Sequence, residues 1–175
     1  MLWDEPLRAA FLSAHPHLKD FVSLTEIQNA ESPRGSVLVA CSFLEQQLQR
    51  IIDAFLVEGS DKSMLLEGFN APLGTFSARI KAAHCLGLIS DSERGDCDIL
   101  RKIRNELAHS HTATFDDPKI ASLCTSLHHS AKDYEGVELD SFAQFSTGAA
   151  GLILNLVNRA HYVSQRRLVR QTWPY

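Results

Sequence analysis

No stretch of this 175-residue chain stays apolar for more than a few residues, far short of the roughly 20 needed to cross a bilayer. The opening residues, MLWDEPLRAAFLSAHPH, carry Asp4 and Glu5 near their start and no long apolar run. They do not read as an export signal, so a cytoplasmic protein is expected. There is no Gly-rich phosphate loop followed by lysine, no dinucleotide fingerprint and no nucleophile elbow, so no cofactor is expected. The four cysteines, Cys41, Cys85, Cys97 and Cys124, are widely separated, without zinc spacing or a disulfide pattern, and read as buried free thiols. His128 and His129 adjoin each other, cannot share one helical face, and indicate no metal site. A large charge excess is also missing. The net charge of -4 argues against a protein that coats nucleic acid non-specifically, and leaves one local basic groove open.

Internal repeats, linkers rich in proline, glycine or serine, and runs of alternating β-branched residues are absent too. Hydrophobic residues at 45% and charged residues at 22% suit a folded chain, and the length suits one core. What remains is helical periodicity. In SPRGSVLVACSFLEQQLQRIIDAFLVEG, Ser32 can cap, Pro33 fits the first helical position, and Val37, Cys41, Leu44, Leu48, Ile51 and Phe55 recur in steps of four and three. Thr75 can open a second helix that Gly87 ends. Ser90 and Glu93 have capping-box spacing ahead of an inward stripe of Ile99, Leu100, Ile103 and Leu107. Asp117 and Pro118 open another helix. A last long helix is expected from Ser141 through the arginine-rich tail, with Gly148 and Gly151 allowing another element to approach. One or two short helices broken near His15 and Pro16 should precede residue 31, and YEGVELD can hold one short extended piece. The fold expected over residues 1–175 is all-α, a single-domain bundle of about five to seven helices ending in an arginine-rich helix end.

The stretch RNELAHSH ends the capped helix. At about 100° per residue, Arg101, Asn105 and His109 form a ridge opposite the apolar stripe, and Arg104 lies at the stripe's edge. A guanidinium and an imidazole can cleave RNA without a metal. The imidazole exchanges the proton of the 2′-hydroxyl or leaving oxygen, the guanidinium offsets charge at phosphorus, and Asn105 orients one of them. Yet Arg104 and His109 are about 140° apart on an ideal helix, so a bent last turn or two copies meeting across a two-fold axis would be needed. The alternative is structural: the histidine favours terminal carbonyls and the arginine pairs with a carboxylate.

The block LLEGFNAPLGTFSARIKAAHCLGLISDSERGDCDILRKIRNELAHS, residues 65–110, with the preceding ESPRGSVLVACSFLEQQLQRIIDAFL, resembles the mannitol operon repressor (MltR) family. The phrase FNAPLGTFSARI is the specific part. The resemblance implies a helical regulator of carbohydrate-use genes. Because no helix-turn-helix is legible, it favours action through protein contacts, with a phosphocarrier of the phosphotransferase system as candidate partner and a homodimer in view. Its signature polar positions fall on Arg34, Asn70, Thr75, Arg79, Arg104, Asn105 and His109. Asn70 and Pro72 suit a turn, Arg79 suits either an ion pair or a second cation near Arg104, and Arg34, badly placed for its own helix dipole, suits an outside carboxylate. RNELAH also resembles the arginine, polar residue, then histidine motif of HEPN ribonucleases, which implies Arg104, Asn105 and His109 as the catalytic set of an alternative function. Arg101, Arg166, Arg167 and Arg170 complete the candidate partner-binding or ligand-binding cations, and direct DNA or RNA binding stays open. Trp3, Trp173 and Tyr175 can pin the termini or occupy an interface.

Overall fold

A computed structural model of the chain describes residues 4–131 and 138–174. Among them there are nine α-helices and no strand: α1 (Glu5–Ala14), α2 (Lys19–Ala30), α3 (Pro33–Phe55), α4 (Ser60–Leu66), α5 (Phe76–Cys85), α6 (Asp91–His109), α7 (Pro118–Thr125), α8 (Ser141–Leu156) and α9 (Arg159–Ser164). The helical bundle expected from periodicity is what the chain forms, in more and shorter pieces. Trp3, Tyr175 and most of YEGVELD lie outside the described residues, and Trp173 is exposed.

The central rod is α3. Ser32 accepts from the Gly35 amide at 3.1 Å, Pro33 fills the first turn, and Val37, Leu44, Leu48, Ile51 and Ile52 are fully enclosed. Around it pack α2, α5, α6, α8 and α9. Their inward residues, including Ile80, Leu100, Ile103, Phe145 and Leu152, form one core with those of α3. The loop after α6 is pinned by Phe115, whose ring meets Phe142 at 5.1 Å and Phe145 at 5.5 Å. Gly148 and Gly151 let the turn at residues 127–130 lie against α8, since a Cβ at Gly148 would stand 3.0 Å from Leu127 Cδ1.

Two expectations need correction. The helix begun at Ser141 ends at Leu156, and Arg166, Arg167 and Arg170 follow α9 in a non-helical tail. The tail instead satisfies the end of α3: the Leu168 amide donates to Phe55 O at 2.8 Å and Arg167 Nε to Ala54 O at 3.1 Å. These carbonyls belong to the last turn of α3 and have no partner within that helix. Cys85 is exposed, because α5 turns that side away from the core. The other three thiols are buried, and burial pushes Cys41 and Cys124 up to about 12, so both remain protonated.

The same chemistry ties α3 to α6 at the other end. Arg34 donates through Nη1 to Leu107 O and to Ser110 O at 3.1 Å, and through Nη2 to His111 O at 3.2 Å and Ala113 O at 2.8 Å. Its partners are therefore carbonyls of this chain. Arg34→Ala should cost about 2–4 kcal/mol in urea unfolding, with Arg34→Lys recovering only part, because one ammonium cannot fork across four carbonyls.

Candidate functional site

Every candidate catalytic group lies on α6, and both ends of that helix are fixed. At its start Ser90 Oγ accepts from the Glu93 amide at 3.2 Å while Glu93 Oε2 accepts from the Ser90 amide at 2.7 Å. Glu93, almost fully buried, also takes Arg159 Nη2 at 2.6 Å, and Arg159 Nη1 reaches Leu88 O at 2.9 Å. Burial pushes the Glu93 carboxyl up, but the hydrogen bonds from Arg159 and Ser90 outweigh it and hold the group below its ordinary range. At the far end Arg34 holds the terminal carbonyls. Between the ends, Cys97, Leu100, Ile103 and Leu107 face inward. The helix turns without a break from Asp91 to His109, so its outward groups have fixed directions.

Three candidate cations are committed inside the chain. Besides Arg34, Arg79 donates Nε to Leu73 O at 2.9 Å and Nη2 to Leu66 O at 3.0 Å, and pairs with Glu45 at 3.4 Å. Arg167 pairs with Glu58 as well as Ala54 O. Asn70 is exposed in a turn with φ 66°, a left-handed conformation that asparagine tolerates. Arg166 and Arg170 are exposed in the tail. Arg166 borders a hollow of about 450 Å³ with Arg159, Tyr162 and Leu86.

Arg101 and Arg104 differ from these. The Nε atom of each is sealed from solvent with no hydrogen-bond acceptor. Leaving a buried donor unpaired costs about 1–3 kcal/mol, which makes two on adjacent turns of one helix unusual. Among the described residues Arg101 reaches only Asp98, at 3.5 Å, and shares it with Arg94 at the same distance. Arg104 has no ion pair with any described residue, although its charge reaches the Cys41 thiol and opposes the upward push of burial. Arg94 and Arg101 therefore share one carboxylate, and Arg104 has none within ion-pair distance among the described residues. The terminal nitrogens of Arg101 and Arg104 are suited to an oxyanion, either carboxylate or phosphate.

The structure does not bring Arg104 and His109 together within one chain. His109 is exposed and Arg104 and Asn105 are half-buried, and the unbroken helix turns Arg104 and His109 about 140° apart. It does bring together a pair that sequence reasoning missed, Asp96 with His129 at 2.7 Å. The available signal was Asp96 itself: an acid four residues before Leu100, on the inward stripe, must find a buried partner. Nothing local points to His129 as that partner.

No protein-family model matches the chain. No curated protein matches it either. Its fold is similar to that of a chain in the X-ray structure of the MtlR-HPr complex from Escherichia coli, with 22% identity and a TM-score of 0.58. The alignment covers 81% of this chain and 96% of that one. The likeness is one of fold, and it extends over nearly the whole of the neighbour.

If the unpaired guanidinium of Arg104 is not part of the scaffold, Arg104→Met keeps the stem and removes a buried unsatisfied donor. Urea unfolding should then show a change below about 1 kcal/mol or a gain, whereas Arg79→Met should lose about 2–4 kcal/mol.

Proposed function

We propose that the chain is a regulator of carbohydrate-use genes of the mannitol operon repressor kind, and that it acts by holding a phosphocarrier protein rather than by reading an operator. The observation that carries this reading is the fold likeness to a chain crystallised in the MtlR-HPr complex, spanning 96% of that neighbour. Two features of this chain support it. The sequence offers no DNA-reading helix pair, and the Arg101 and Arg104 flank retains cationic groups whose needs the fold leaves unmet. Under this reading the flank supplies contacts to an acidic or phosphorylated group of the partner. Calorimetry with the pure protein and an HPr-type carrier, unphosphorylated and phosphorylated, should show binding in the micromolar range or tighter. A double Arg101→Glu and Arg104→Glu variant should weaken it at least about tenfold. Absence of binding to either form, or tight sequence-selective binding to upstream operator DNA at about 0.15 M salt, would overturn the reading.

A second reading is favoured by one specific observation: neither Arg104 nor His109 makes a side-chain hydrogen bond or ion pair with a described residue. Two copies meeting along α6 would place Arg104 of one beside His109 of the other, giving a metal-independent ribonuclease of HEPN type. The expected result is cleavage of mixed RNA in the presence of a chelator, lost in both Arg104→Ala and His109→Ala. Cleavage that persists in both variants, or none from the native chain, rejects it.

A further inference from the structure

Asp96 is only 1% exposed, on the same face of α6 as Leu100 and Ile103. The segment after α7 takes up both of its oxygens. Oδ1 accepts from the His128 amide at 2.8 Å, and Oδ2 accepts from the His129 amide at 2.9 Å and from His129 Nδ1 at 2.7 Å. An ionised carboxylate only accepts, so the geometry assigns the ring proton of His129 to Nδ1. In the neutral ring Nε2 then carries the lone pair. Nε2 makes no hydrogen bond to a described residue and is not among the sealed polar atoms, and the His129 side chain keeps 15% of its surface exposed. Gly151 of α8 lies close behind, where a Cβ would stand 3.1 Å from His129 O and 3.3 Å from its Cβ. The backbone and Cβ of His129 thus lie against α8, and its ring is tied to a buried carboxylate through one nitrogen while the other is neither sealed nor hydrogen-bonded to a described residue.

That arrangement prepares a nucleophilic nitrogen. A metal site would need more ligands, and among the described residues no group of three or more candidate ligands exists. We propose that His129 accepts a phosphoryl group at Nε2 from an N-phosphoryl donor, with Asp96 as the positioning residue. The Nε2 lone pair attacks phosphorus as the donor's P–N bond breaks, and the departing nitrogen takes a proton from water. The proton on Nδ1 stays in place, and the Asp96 carboxylate offsets the positive charge that the ring gains. No oxidation or reduction occurs. Only the identity of the natural donor, a phosphorylated HPr-type carrier, rests on the function proposed above.

The test is to treat the full chain with phosphoramidate and follow each histidine by phosphorus NMR and peptide mapping, with exposed His109 as internal reference. Although half-buried, His129 should be labelled at least about tenfold faster than His109, as the Nε2 isomer. His129→Gln should abolish the fast label and His128→Gln should retain it. In Asp96→Asn the amide oxygen keeps the Oδ2 position, where two donors of His129 converge, so the ring proton stays on Nδ1 while the negative charge is lost, and the His129 label should slow at least about tenfold relative to His109. A purely structural Asp96 would change melting but not the ratio of His129 to His109 labelling. Labelling of native His129 no faster than His109, or at Nδ1, overturns the proposal, and both are read without any variant having to fold. Binding to the HPr-type carrier is measured separately. Fast His129 labelling without carrier binding supports the acceptor chemistry and defeats the partner reading; carrier binding without preferential His129 labelling does the reverse.

Discussion

The constraint on which the bundle depends is the supply of donors to carbonyls that helix ends and tight loops leave unpaired. A helix cannot satisfy its own last carbonyls, and burying them without partners is costly. Here guanidinium groups from distant parts of the chain meet that need. Arg34 spans four carbonyls at and beyond the end of α6, Arg167 takes one at the end of α3, and Arg79 takes one at the end of α4 and another in the loop that follows. Each contact fixes the distance and direction between two elements, which apolar packing alone leaves adjustable. Because the planar fork donates in several directions, one arginine can close a helix end and its adjoining loop together.

This use of arginine also sorts the cations by function. A guanidinium already engaged with backbone carbonyls has few donors left for a ligand, and moving it would expose the carbonyls it serves. Arg101 and Arg104 stand apart because their charges are underpaired while their stems are packed. Rigid α6 holds both on one flank, so any oxyanion they meet finds a preset geometry. The same rigidity keeps His109 on another face and makes a one-chain Arg104 and His109 pair incompatible with the helix.

The two acids that α6 turns inward are resolved in contrasting ways. Glu93 gains a charged partner, Arg159, and both add to the cap at the helix start. Asp96 gains two backbone amides and a histidine, which anchors the segment between α7 and α8 and fixes the ring's proton. One acid therefore joins a helix end to the C-terminal part of the chain, while the other holds a histidine by its backbone amide and by Nδ1.

The helical class, the capping box at Ser90 and Glu93, the Ser32 and Thr75 caps and the inward stripes of α3 and α6 were legible in the chain alone, because each depends on residues within a turn or two of one another. The partners of Arg34, Arg79, Asp96 and Arg159 were not, since their contacts join residues separated by up to 79 positions or meet backbone atoms that carry no sequence signature. The same limit explains the tail. Its periodic residues suit a helix, but the open carbonyls of Ala54 and Phe55 bind Arg167 and Leu168 in a non-helical conformation. Local spacing determined which segments are helices and which faces are apolar. Tertiary structure decided which charges are consumed in joining those helices and which remain available, because a charge's partner is set by distance in space and not by distance along the chain.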